Sequence, residues 1–307
     1  MRVVLAIDHS QTSDAAIAFL AQQAFTQKVD LDIISVIPPL PYIDASGGGA
    51  LGVGMIPDVG NFILQEQEHV KQILEATTTR LEGRFQSIQR VVKVGSPERE
   101  IRAYADSCDA DLVILGAVGH SAVARMLLGS VSDYVATHVN ASALVIRPRD
   151  EPGAAPVPRR VLLAVGASAQ DLQLVDRLCW LDLPRSTEVH LVHVAQLMTF
   201  FRQDLKERSS DFWLQSRVAA LDYLSSIEES LQPHGFPVST KLLSESHIGE
   251  ALVVYADEHD CDLILTCDRH RGVLDRAVLG STSRYLLRHA HGSVMVVRAS
   301  APDAAKR

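Results

Sequence analysis

Short unbroken apolar runs alternate along the chain with longer stretches in which apolar residues recur at helical spacing. In the first half the runs fall at 2–7, 31–37, 88–94, 111–116 and 142–147. They show little apolar/polar alternation, the pattern of strands covered on both faces. The stretches 12–27, 61–84, 97–108 and 129–139 read as helices. Alternating β and α elements predict a parallel sheet with helices on both sides. The second half repeats the scheme, with strands expected near 160–165, 188–194, 238–243, 262–266 and 293–298, and an amphipathic helix over 205–231 whose apolar stripe reads as core.

The repetition extends to the residues. "RVVLAIDHS" at 2–10 matches "RVLLAVGAS" at 160–168, and "YADSCDADLVIL" at 104–115 matches "YADEHDCDLILT" at 255–266. "LLGSVSDYVATH" at 127–138 matches "VLGSTSRYLLRH" at 278–289, and "SALVIR" at 142–147 matches "SVMVVR" at 293–298. Repeats in the same order mean two copies of one design. The Pro- and Ala-rich stretch between them reads as a linker. The expected organisation is a first domain over 1–149, a linker over 150–158, a second domain over 159–299 and a tail over 300–307. Residues 38–60, "PPLPYIDASGGGALGVGMIPDVG", form a long Gly/Pro-rich stretch of the kind found in mobile segments and lids.

Composition narrows the classes of function. With 307 residues and 47% apolar content there is material for two cores. The net charge of −8 argues against nucleic acid as a partner. No apolar run approaches membrane-spanning length, and "MRVVLAID" is too short for an export signal. Cys108, Cys179, Cys261 and Cys267 form no C-x-x-C pair. The expectation is a cytoplasmic protein with reduced thiols.

Ligands of open parallel sheets sit beyond the carboxyl ends of the strands. Three segments of the first half end there. Asp8 follows the first apolar run, where it either caps the next helix or meets a ligand; Ser10, Thr12 and Ser13 are alternative caps. Val36 and Ile37 leave the second run, as core or as walls of an apolar slot. The third segment is "GAVGHSAVARMLLGS" at 116–130. Gly116 and Gly119 allow positive φ and close approach of backbone N–H groups to a ligand. Gly129 and Ser130 open a helix whose N-terminus attracts anions, and Ser130 and Ser132 add hydroxyl groups. Together they make a nest for phosphates, distinct from the P-loop, with Arg125 the only cation in the loop.

G-x-x-G, nine residues, then G-[ST], in an α/β unit that opens with a strand and D-x-S, resembles the universal stress protein family, here in tandem. The resemblance implies two Rossmann-like domains of the adenine-nucleotide α-hydrolase-like type in a stress-response protein, packed as an intramolecular pseudo-dimer through their last strands, or as a homodimer. It implies ATP, with or without Mg²⁺, in the first domain. Asp8 and Val36 would contact the adenosine part; Gly116, Gly119, Gly129, Ser130 and Val131, with Ser132 beside them, would hold ribose and phosphates. The second half departs from the pattern: Gly166 stands for Asp8, Cys267 for Gly116 and His270 for Gly119. It is expected to be structural or to bind another ligand. Its "DRHRGVLDR", with Arg269, Arg271 and Arg276, reads as a solvated basic loop or as a site for a different anion.

His190 and His193 lie three apart on a strand and point to opposite faces, and His289 and His291 have no carboxylate or thiol nearby in sequence, so no metal site is expected. No arginine finger, catalytic-loop base or pair of metal carboxylates marks a phosphoryl-transfer enzyme. Three functions stay open: an ATP-binding regulatory protein with a protein partner still to be identified, a nucleotide-independent interaction module, and a slow ATP hydrolase or adenylyl-transferring enzyme.

Overall fold

The computed structural model describes residues 1–8, 10–39, 59–117, 128–148, 157–196, 203–268 and 279–298. The first half runs β1 (Arg2–Ala6), α1 (Gln11–Gln22), β2 (Asp30–Ile37), α2 (Val59–Leu81), β3 (Ser87–Val94), α3 (Pro97–Ser107), β4 (Leu112–Gly116), α4 (Ser130–His138) and β5 (Ser142–Ile146). The second half runs β6 (Arg160–Val165), α5 (Leu172–Leu178), β7 (Glu188–Gln196), α6 (Gln203–Leu231), β8 (Val238–Glu245), α7 (Ile248–Glu258), β9 (Leu263–Asp268), α8 (Ser281–His289) and β10 (Ser293–Arg298). All ten expected strands form.

They make one sheet, ordered β3-β2-β1-β4-β5-β10-β9-β6-β7-β8. Pairing is parallel within each half. At the centre β5 and β10 run antiparallel, with Leu144 opposite Met295. The expected pseudo-dimer thus lies within one chain, and each half covers an edge the other would leave open. Successive strand residues feed opposite faces: Val3 and Leu5 join the core under α1, α2, α5 and α6, while Val4 and Ala6 join the core under α3, α4, α7 and α8.

The approximate dyad is visible in hydrogen bonds. Arg147 N donates to Ser293 Oγ and Arg298 N to Ser142 Oγ, at 3.1 and 3.2 Å. Both arginine side chains are buried and reach across the dyad to the C-terminal carbonyls of the other half's last helix. Arg147 donates to Leu287 O, and Arg298 to Ala136 O and Thr137 O. A cation there complements the helix dipole. Asp133 of α4 also pairs with Arg288 of α8 at 2.8 Å.

The first helix ends earlier than its expected limit of 27. Gln23 turns extended, its Nε2 donating to Ala24 O and Asp182 O, and Phe25 bridges to Leu181 of the other half. A tertiary contact takes the backbone that local periodicity gave to the helix. The 38–60 stretch is shorter by two residues, because α2 already begins at Val59; residues 40–58 lie outside the described part.

The halves differ below the sheet's second strands. In the first, Tyr104 Oη donates to Asp32 at 3.1 Å. In the second, His190 takes the place of Asp32, its Nδ1 3.1 Å from both Tyr255 Oη and Ser239 Oγ. Burial, then His259, push the His190 imidazole below its ordinary value, against a smaller opposing pull from Glu188. The folded chain therefore takes up this proton at lower pH than the unfolded chain. The neutral form's contribution is complete above the ordinary histidine pKa and is lost as pH falls through it towards the depressed value. Wild type is expected to lose more thermal stability between about pH 7 and pH 5 than His190→Asn, as measured by calorimetry at each pH.

Candidate functional site

In the order β3-β2-β1-β4-β5 the strand order reverses between β1 and β4, and a cavity opens there at their carboxyl ends. Its volume is about 450 Å³, within the range of small-molecule sites. Asp8, Val36, Gly116, Gly129, Ser130, Val131 and Ser132 all line it. Of the residues singled out in the sequence, Gly119 lies outside the described residues, as do Arg125 and the second half's Arg269, His270, Arg271 and Arg276.

Helix α1 is capped by Ser10, whose Oγ accepts from Ser13 N at 3.2 Å. Asp8 is therefore not the cap. Its Oδ1 instead holds the cap in place, accepting from Ser10 Oγ at 2.5 Å and Ser13 Oγ at 2.6 Å. The carboxylate itself is exposed on the cavity wall. Val36 is half-buried, with Ile37 and Pro38 beside it on the apolar side.

Gly116 is needed for packing. A Cβ there would lie 2.5 Å from Thr12 Oγ1 and 2.6 Å from Thr12 C, so the glycine lets α1 approach β4. Gly129 has φ −67° and ψ 152°, backbone open to any residue. Its value is the absence of a side chain at the head of α4, and a helix head leaves its first N–H groups without intrahelical partners. Ser130 opens the helix with an exposed side chain. Ser132 is buried and donates to Gly116 O at 2.6 Å, so its proton ties α4 to β4 and only its oxygen faces the cavity.

The remaining wall comes from residues the motif did not include: Ser35 of β2, Glu66 and Val70 of α2, and Pro97 and Ile101 of α3. Only their spacing carries a signal. Glu66 and Val70 are four apart on one helix face, and nothing local says that this face turns to β1.

The second half arranges the same positions differently. Asp171, buried, takes over from the absent acid: its Oδ2 accepts from Gly166 N at 3.1 Å and Ser168 N at 2.8 Å. Cys267 stands in β9 where Gly116 ends β4, with its Sγ 3.8 Å from Gln170 O. Among the described residues no cluster of three or more His, Cys, Asp or Glu could hold a metal ion, and no helix is long and apolar enough to cross a membrane. His291 pairs with Asp257 at 2.8 Å, whereas His289 faces Tyr285 O, so these two histidines do not converge.

Fold and cleft together define a tandem, doubly wound α/β protein with an open cleft in its first half. The family model of the universal stress proteins matches it twice, over residues 1–147 and 158–298, and the chain belongs to that family. Universal stress protein Sll1388 of Synechocystis is 31% identical over 150 residues, spanning 48% of this chain and 97% of its own length. Universal stress protein Rv2005c of Mycobacterium tuberculosis is 24% identical over 310 residues, 97% of both chains. The crystal structure of a universal stress protein from Archaeoglobus fulgidus superposes with a TM-score of 0.63 at 17% identity, covering 97% of this chain and 98% of that one, a likeness of fold.

Proposed function

We propose that this universal stress protein is a regulatory protein that binds one adenine nucleotide, ATP, in the cavity of its first half. The observation that carries this reading is convergence: residues 8, 36, 116 and 129–132, far apart in sequence, line one cavity at the reversal point of the sheet. In this reading the base lies against Val36 and Ile37, the Asp8 carboxylate receives ribose hydroxyls, and the phosphates point at Gly129 and Ser130. The head of α4 supplies N–H groups and a positive dipole end there. A Mg²⁺ ion, if present, would arrive with the phosphates. Nucleotide occupancy then acts on the segment after β2, which leaves from the cavity rim at Pro38, and through it on a protein partner.

The test is to purify the protein without added nucleotide, denature it, and quantify released small molecules by mass spectrometry, then repeat after incubation with ATP–Mg²⁺. The expected yield is one adenine nucleotide per chain. A protein that stays empty under both conditions would overturn the reading in favour of a nucleotide-independent interaction module. Two per chain would show that the second half binds as well.

A further inference from the structure

The second half holds a charged residue that the first lacks. Asp268 ends β9, in register with Arg298 of β10. Its side chain is 1% exposed. One carboxylate oxygen accepts from Gly280 N at 3.1 Å, at the head of α8. The other pairs with the Arg298 guanidinium, which is also buried. The corresponding residue of the first half is Ala117, next to Arg147 beyond the β4–β5 pair Gly116–Ile146. There the N–H of Gly129 finds a backbone acceptor, Ala117 O at 2.7 Å, rather than a carboxylate. Arg147 is 4% exposed and makes no ion pair among the described residues; burial pulls its guanidinium down to about 10.

The two halves thus differ by one buried negative charge at equivalent places. In the second half that charge offsets Arg298 and takes the N–H at the head of α8 before any ligand arrives. In the first half that N–H is taken by a neutral carbonyl, and no carboxylate among the described residues offsets Arg147, which favours an anion. A phosphate at the head of α8 would meet the Asp268 carboxylate already in place.

We infer that Asp268 is a built-in anion that closes the head of α8 to phosphates, and that Ala117 at the matching position is what leaves the head of α4 open to them. Asp268 and Ala117 are specificity-determining residues. The inference rests on the proposed function for the identity of the ligand in the first half, not for the closure of the head of α8.

The test uses the full chain in two arms. In the first, ATP–Mg²⁺ affinity is measured by calorimetry for wild type, Ala117→Asp and the near-isosteric neutral Ala117→Asn. Ala117→Asp is expected to bind at least about tenfold more weakly, while Ala117→Asn stays within about threefold of wild type, because charge and not bulk closes the cleft. Equal binding by wild type and Ala117→Asp, or equal loss in both variants, overturns the inference. In the second arm, the thermal midpoint of Asp268→Ala is followed against inorganic phosphate at constant ionic strength. Phosphate is expected to raise the variant's midpoint well beyond its effect on wild type, because it replaces the missing anion between Arg298 and the head of α8. A midpoint that responds no more than that of wild type, or a variant that no phosphate concentration restores, overturns the inference. If wild type ignores ATP, the reading of the first cleft fails by itself, and the phosphate arm still decides on Asp268.

Discussion

Replacing Arg298 by methionine is expected to cost about 3–5 kcal/mol of folding stability, while the same change at its dyad mate Arg147 is expected to cost no more than about half of that. Both arginines are buried, and both donate to carbonyls at the end of a helix in the other half. Their surroundings differ. Removing Arg298 leaves the Asp268 carboxylate buried beside a methionine, with Gly280 N still donating to it. Breaking a buried pair from one side is costly because the charge left behind stays out of water and loses its counter-charge. Removing Arg147 strands no carboxylate among the described residues, so only the carbonyl bonds and packing are lost. Urea unfolding of both variants measures the difference. The double variant Arg298→Met/Asp268→Leu is expected to recover much of the loss, since apolar groups of similar volume replace a buried pair at little cost. Equal costs for Arg147→Met and Arg298→Met would mean that the ion pair contributes nothing beyond the helix-end contacts.

The second large effect concerns the ligand. Gly129→Asp is expected to weaken ATP binding by about 3 kcal/mol, on the order of 100-fold or more, with little change in folding stability. The backbone at Gly129 lies in the extended region, which aspartate adopts without strain, and aspartate is a favoured residue at a helix cap. The fold therefore tolerates the change. The new carboxylate occupies the helix head that the phosphates are proposed to use, and it repels what remains. Fluorescence or calorimetric titration with ATP–Mg²⁺, alongside a thermal melt, separates the two quantities. A variant that binds like wild type would place the phosphates elsewhere in the cavity, and one that unfolds would show that the glycine serves packing.

Glycine illustrates how motif and structure divide the explanation. The spacing of Gly116 and Gly129 was legible because both flank a strand–loop–helix passage. The reason for each was not. Positive φ explains neither: Gly129 is extended, and Gly116 makes room for Thr12, a contact set by how α1 packs on β4. Similarly, Asp8 reads in sequence as a cap or a ligand contact. The structure gives the capping to Ser10 and uses Asp8 to hold it, which still leaves the carboxylate on the cavity wall.

The sequence by itself determined the tandem repeat, the ten strands and the α/β class, because these follow from periodicity within each element and from its copy in the other half; the pairing of the last strands was implied by the family resemblance. Seven residues that line the first cleft were also named from the sequence, at strand ends, at the head of the following helix or, for Val131, through the family resemblance. Only the tertiary structure decided that α1 stops at Gln22, that Glu66 and Ile101 complete the cleft, and that the terminal arginines of β5 and β10 are buried across the dyad. It alone showed that Asp268, which in sequence is one polar residue after a strand, holds Arg298 and the head of α8. The physical reason is range. Burial patterns repeat every two or 3.6 residues and are written locally. An ion pair between strand ends depends on which strands the topology makes neighbours, and no local period encodes that.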